Sequence, residues 1–325
     1  MKPFARPYVL KIRKGKYFMT RSYRLFQLCG RGNKVKKLLG AFLVFLCFIG
    51  AVVFFVDAKE ETLLQSKEEV EIGVPGVTGY SITYKSNGVE IPGLWIEPDE
   101  VEGSLPLLIH NRGGVGESSL TEAQELKNLS YWAEQGYAVL ATHYRENAEG
   151  KFEPTEKKDF VRDVLDLKKV GAELNHVDED RTVMLGYSCG GWMSLLAVQQ
   201  EMDVDAVAVI GAITDLKQLY LTEPEPVQKQ IERLMGEPGG EESWYRELAP
   251  IHWVEDINVP ILMLHGERDR TVPIEQARLF ATLMESEHDL HRYVEYENGD
   301  HGLRLHFKEY APEVLDWFDK HLEGE

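Results

Sequence analysis

The stretch Thr182-Val-Met-Leu-Gly-Tyr-Ser-Cys-Gly-Gly-Trp192 constrains the fold more than any other part of the chain. Thr182–Leu185 is an apolar, β-branched run of the kind that forms a buried strand. Trp192–Val198 is apolar nearly all round, as a buried helix is. Between them lies Gly186-Tyr-Ser-Cys-Gly190, a G-x-S-x-G pattern. A strand that turns this sharply into a helix strains its apex residue, and flanking glycines remove the Cβ atoms that would collide there. Ser188 Oγ would then stand at the top of a sheet, against a helix N-terminus whose free N–H groups face developing negative charge. The pentapeptide alone arises by chance in about one chain in ten of this length; the flanking strand and helix give it weight.

Charge divides the 325-residue chain. Residues 1–57 hold twelve Lys and Arg against the single acid Asp57, so with a total of −18 the remainder stands at −29. An acidic body argues against nucleic-acid binding, which needs a basic face. Residues 1–37 read as a basic arm on the cytoplasmic side. Leu38–Val56 is nineteen residues without a charge, about 28 Å as a helix, and predicts a single transmembrane signal anchor. The positive-inside rule puts the N-terminus in the cytoplasm and the body outside it. The alternative is a signal peptide cleaved near Val56-Asp57-Ala58, which would release the body. Residues 57–76 read as a polar linker. Of the three cysteines only Cys189 lies past the apolar segment, which excludes a disulfide-stapled body.

Residues 77–325 alternate strand and helix. Tyr80–Tyr84 and Val89–Ile96, around Ser86-Asn87-Gly88, predict a hairpin. Strands follow at Leu105–His110, Tyr137–Thr142, Thr182–Leu185, Val204–Ile210, Ile261–Leu264 and Arg292–Tyr296. A helix is predicted from a capping box of Ser119 with Glu122 to Gly136. Others start near Phe160, span Pro273–Met284 and close the chain at Tyr310–Leu322. The pattern implies an α/β fold: a mostly parallel eight-stranded sheet with helices on both faces. Residues 213–259 break it and read as a short helical insertion roofing the site. Tyr220, Trp244, Tyr245 and Trp253 are the aromatics there that could line a pocket, or else belong to the core.

In such sheets function gathers at the carboxyl ends of strands. Two such ends carry what a nucleophilic serine requires, a base and an acid to orient it. His301 in Glu297-Asn-Gly-Asp-His-Gly302 is the candidate base. Asp269 is the candidate acid, with Glu267 and Asp300 as rivals. Their order with Ser188 is that of α/β-hydrolases. The backbone N–H of Cys189 is the expected first oxyanion donor. The second is expected from the loop Asn111-Arg-Gly-Gly114, at Arg112 or Gly113. No metal-ligand spacing appears, and no cofactor is implied.

Together these residues resemble the catalytic domain of the prolyl oligopeptidase family of serine peptidases, over about residues 100–322. The resemblance runs through Tyr144-Arg145, Val177-Asp-Glu-Asp-Arg181, Gly186-Tyr-Ser-Cys-Gly-Gly191, Ala249-Pro-Ile251, Val259–Asp269, Val272-Pro273 and Gly299-Asp-His-Gly302. It implies a nucleophile at Ser188, an acid at Asp269 and a base at His301, and an acyl-enzyme route for small esters or short peptides. Arg112-Gly-Gly114 departs from the family's usual His-Gly-Gly or Tyr-Gly-Gly. Carboxylesterase or acyltransferase chemistry, or a non-catalytic interaction module, are the alternatives. Oligomeric state is not legible in the sequence.

Overall fold

A computed structural model describes residues 62–114, 121–145, 159–225, 228–229, 231–232, 242–287 and 290–323. Their strands are β1 (Leu64–Val70), β2 (Val77–Ser86), β3 (Val89–Pro98), β4 (Leu105–Asn111), β5 (Ala138–Thr142), β6 (Val177–Tyr187), β7 (Ala206–Ile210), β8 (Ile261–Gly266) and β9 (His291–Tyr296). The helices are α1 (Glu122–Glu134), α2 (Asp159–Ala172), α3 (Cys189–Gln199), α4 (Leu216–Thr222), α5 (Glu242–Glu247), α6 (Ile274–Glu287) and α7 (Phe307–Leu322).

The sheet runs β1-β2-β3-β5-β4-β6-β7-β8-β9. The pairs from β5 through β9 are parallel, and β1 to β3 join antiparallel at one edge. The β2–β3 hairpin turns on Asn87 and Gly88, with φ of 47° and 82°; two successive positive φ values match a type I′ turn. Every residue of β5, β7 and β8 is buried, as strands covered on both faces must be. One covering layer contains α2, α3 and α6, with Val164, Leu167, Leu195, Leu196 and Phe280 in its core. The other contains α1 and α7, with Leu126, Trp132, Val314 and Phe318.

Two parts of the expected architecture are corrected. The sheet has nine strands, because Leu64–Val70, read as linker, pairs antiparallel with β2. Its interior positions Gln65–Glu69 are exposed, so it shows none of the apolar alternation by which a strand is recognised. It is held by its backbone ladder, and Lys67 Nζ lies 3.6 Å and 3.8 Å from the ring centroids of Tyr80 and Trp95. The predicted transmembrane helix is the second. No helix among the described residues is long and apolar enough to cross a membrane. Residues 38–56, like the basic arm, lie outside the described residues.

A smaller difference concerns α1. Its cap is Thr121, whose side chain accepts from Gln124 N while the Gln124 side chain accepts from Thr121 N. Ser119 lies outside the described residues.

The strand order places a switch point between β4 and β6. The chain leaves β4 through α1 toward β5, and leaves β6 through α3 toward β7. Ligands bind at the carboxyl ends of such a strand pair. Here those ends are Asn111-Arg112-Gly113 and Tyr187-Ser188.

Candidate active site

Ser188 has φ 53° and ψ −117°, a conformation that costs a non-glycine residue about 1–3 kcal/mol and persists only where its surroundings enforce it. Ser188 N donates to Ile210 O at 2.8 Å, and Ser188 O accepts from Trp192 N to open α3. A Cβ on Gly190 would lie 2.0 Å from Asn111 O and 2.5 Å from Arg112 O, so only glycine permits the approach. Asn111 Nδ2 donates to Ser194 Oγ, which donates to Gly190 O, both at 2.9 Å. These buried bonds tie the end of β4 to the first turn of α3. Trp192 Nε1 donates to Leu248 O at 2.6 Å and fastens the insertion to that helix.

The carboxylate of Asp269 is fully buried among N–H donors. Oδ1 accepts from Thr271 N at 2.8 Å and Val272 N at 2.9 Å. Oδ2 lies 2.7 Å from His301 Nδ1 and 3.1 Å from His265 Nε2. His265 Nε2 also lies 3.0 Å from Val272 O, which can only accept, so this nitrogen carries the proton. Burial by itself raises a carboxyl. The hydrogen bonds from His265 and His301, with that from Val272 N, outweigh it and hold Asp269 well below the ordinary carboxylate range. The His301 ring stays partly exposed.

Of the rivals to Asp269, Asp300 bonds Arg304 N and Nε, both at 3.0 Å. Glu267 faces Asn298 N at 3.4 Å. Gly211 joins the two halves of the site. It follows Ile210, the acceptor of Ser188 N. A Cβ on it would meet His301 O at 2.8 Å, His301 Nδ1 at 3.1 Å and Asp269 Oδ2 at 3.3 Å, and its φ is 58°. Sequence reasoning passed over Gly211 and left His265 as a packing residue. The signals were a glycine directly after a buried strand and a histidine four residues before the acid, at the end of the strand that leads into its loop.

Cys189 is buried at the first position of α3. Gly113 adjoins the elbow: a Cβ there would lie 3.2 Å from Tyr187 O and 3.3 Å from Ser188 Cβ. Arg112 Nη1 donates to Gly113 O at 3.2 Å, and its guanidinium carbon lies 5.5 Å from the Tyr144 ring centroid. Tyr144 OH donates to Arg112 O at 3.3 Å. Tyr144 itself has φ 59°. The next residue, Arg145, donates to buried Asp163 from its backbone N at 2.6 Å and from Nη2 at 2.8 Å. Among the insertion aromatics, Tyr245 and Trp253 are core residues and Tyr220 OH donates to Glu232 at 2.5 Å. The side chain of Trp244 lies outside the described set.

Residues 123–325 match the family described as the prolyl oligopeptidase family. The chain belongs to that family. It is a serine hydrolase of ester or peptide bonds. It is 29% identical over 219 residues to the uncharacterized peptidase YtmA of Bacillus subtilis, covering 66% of this chain and 82% of that one. It is 26% identical over 247 residues to the esterase LipC of Mycobacterium tuberculosis, covering 69% and 59%. Among solved structures, a puromycin hydrolase superposes with a TM-score of 0.67 at 20% identity, over 83% of this chain and 41% of that chain. The acetyl xylan esterase from Paenibacillus sp. R4 superposes with a TM-score of 0.62 at 19% identity, over 79% and 88%. These superpositions speak for the fold: an α/β-hydrolase core shared by relatives of very different total length.

A cavity of about 740 Å³ adjoins the site, and His110 is on its wall. Burial lowers the His110 pKa to about 4 from 6.5, against the opposing pull of Glu125. As pH falls, the unfolded chain therefore takes up this proton first. Stability from this group is complete above about 6.5 and is lost between about 6.5 and about 4. At about 1.36 kcal/mol per unit the loss is at most about 3 kcal/mol. Urea unfolding at pH 7, 5.5 and 4.5 is expected to show a steeper fall for the wild type than for His110→Gln; equal slopes would remove His110 as the cause.

Proposed function

We propose that this chain hydrolyses small carboxylic esters or short peptide-like amides, with Ser188 as nucleophile, His301 as general base and Asp269 as the acid that orients it. The observation that carries the reading is the 2.7 Å contact of His301 Nδ1 with the buried, ionised Asp269. An ionised carboxylate can only accept, so the contact puts a proton on Nδ1; in the neutral ring Nε2 is then the nitrogen that can serve as base for a serine hydroxyl. Both His301 and the elbow abut the end of β7, His301 through Gly211 and Ser188 through Ile210 O.

In this reading Nε2 takes the Ser188 proton as Oγ attacks the carbonyl carbon. The tetrahedral oxyanion turns toward the Cys189 N–H at the head of α3, with the Arg112-Gly113 loop supplying the second donor. The imidazolium returns its proton to the departing alcohol or amine. Water then repeats the sequence on the acyl-enzyme, and the carboxylic acid leaves.

A fluorophosphonate probe is expected to modify Ser188, with the adduct located by peptide mass spectrometry. Ser188→Ala is expected to lower ester hydrolysis by about a millionfold in kcat, down to the rate that binding and oxyanion stabilisation alone support. A full-rate alanine variant, or an adduct on another residue, overturns the assignment.

A further inference from the structure

The cavity beside the elbow lies on the α1 and α7 side of the sheet, across from the insertion expected to roof the site. Three of its lining residues frame the reacting groups. Tyr187 immediately precedes Ser188, Gly302 immediately follows His301, and Gly113 faces Ser188 Cβ. A substrate group attached to a carbonyl at Ser188 thus has a space beside it far larger than an acetyl group needs. Its volume falls within the range of small-molecule sites, about 300–1,000 Å³.

The lining decides the chemistry of the occupant. Tyr131, Trp132, Phe307 and Tyr310 form a chain of edge-to-face contacts with ring centroids 5.0–5.4 Å apart between Trp132 and Tyr131, Tyr131 and Phe307, and Phe307 and Tyr310. The hydroxyls of Tyr187 and Tyr310 bond each other at 2.9 Å. Glu125 Oε2 and His143 Nε2 lie 2.6 Å apart, each side chain largely buried. Arg304 Nε donates to Asp300. The space thus offers an aromatic and aliphatic wall, completed by Leu94 and Leu129, with exposed Lys127, Asn128 and Arg304 and half-buried Arg112 among its other polar members. Such a wall favours a ring that can stack against the edges and faces of its neighbours.

We infer that this cavity is a substrate subsite for an uncharged aromatic group, so that the chain prefers esters or amides bearing an aryl moiety over those bearing only short aliphatic ones. The inference deepens the reading of Ser188 as nucleophile and rests on it for what is cleaved. Occupancy of the cavity can be measured without turnover.

The test uses the full chain carrying Ser188→Ala and the hydrolysis-resistant probe 2-naphthylacetamide, with acetamide as its ring-free counterpart. Calorimetric titration is expected to show the naphthyl probe binding at least tenfold more tightly than acetamide. Asn128 is exposed on α1 and lines the cavity rim. Asn128→Trp fills that rim from the solvent side without disturbing the core, and is expected to weaken the naphthyl probe at least tenfold. Equal affinity for the two probes, or naphthyl binding indifferent to Asn128→Trp in a protein of unchanged Tm, overturns the subsite. In parallel, kcat/KM of the Ser188 protein for methyl phenylacetate and benzyl acetate is compared with that for methyl acetate. An aryl preference in at least one of the two supports the subsite, and none in either counts against it. Failure of fluorophosphonate to label Ser188 while the naphthyl probe still binds would sink the catalytic assignment and leave the binding site standing.

Discussion

Asp269→Asn is expected to lower kcat by about ten-thousandfold, the scale seen when the orienting acid of a serine triad is made neutral. The geometry explains why an isosteric change should be so costly. Both carboxylate oxygens accept, Oδ1 from two backbone N–H groups and Oδ2 from His265 Nε2 with His301 Nδ1 beside it. An asparagine has one accepting oxygen. Whichever way the amide turns, its NH2 group points at donors. If it faces the histidines, His301 satisfies the contact best by moving its proton to Nε2, which removes the base from the serine side. If it faces Thr271 and Val272, two backbone donors lose their acceptor, at about 1–3 kcal/mol each. The measurement is steady-state kinetics on a soluble ester, with Tm recorded alongside. KM should move far less than kcat, since the loss falls on the transition state. A variant that folds and keeps kcat within tenfold of the wild type would mean that His301 is oriented by something other than Asp269.

The second large effect concerns folding. Gly190→Ala puts a methyl group 2.0 Å from Asn111 O and 2.5 Å from Arg112 O. Both atoms belong to backbone at the end of the central strand β4 and the loop beyond it, so no rotamer change relieves the clash. Either α3 is pushed off the elbow or the Asn111–Ser194–Gly190 chain of hydrogen bonds breaks. A loss of about 4 kcal/mol or more places this among the exceptional single substitutions. In a domain of this size that is roughly 8–16 °C in Tm. Thermal unfolding followed by circular dichroism gives the answer, and a shift under 3 °C would show that the elbow tolerates a Cβ at this position.

These two residues also mark where reading the chain stops and packing begins. Gly190 was legible as part of the G-x-S-x-G pattern between a contiguous strand and helix. The collision its lack of a Cβ avoids, with Asn111 and Arg112 at the end of β4, comes from packing and not from its own neighbours in the chain. The hairpin at Asn87-Gly88 and the alternation that announces a covered parallel sheet were legible because periodicity is carried by neighbouring positions. Asp269 was a candidate among three acids. Asp300 adjoins His301 too closely in the chain to reach its Nδ1 easily, and the family resemblance implied Asp269, but Glu267 and Asp269 share one loop and residue type alone does not separate them. Only folded loops reveal that Asp269 turns inward onto four donors, while Asp300 pairs with Arg304. The edge strand Leu64–Val70 escaped notice because hydrophobic pattern is the signal for strands and this strand buries almost none. Its evidence is a ladder to β2, formed by partners some fifteen residues away.

The kind of the elements from the β2–β3 hairpin onward, the elbow and the identity of its serine were therefore set by the chain's own local chemistry. The tertiary structure decided which acid meets His301, how Gly211 and His265 brace that pair, and where an aromatic-walled space opens beside Ser188. The physical reason is range. Backbone sterics and side-chain periodicity act within a turn or a strand, while these buried hydrogen-bond clusters exist only after segments 32 and 83 residues apart in the chain have packed at one sheet edge.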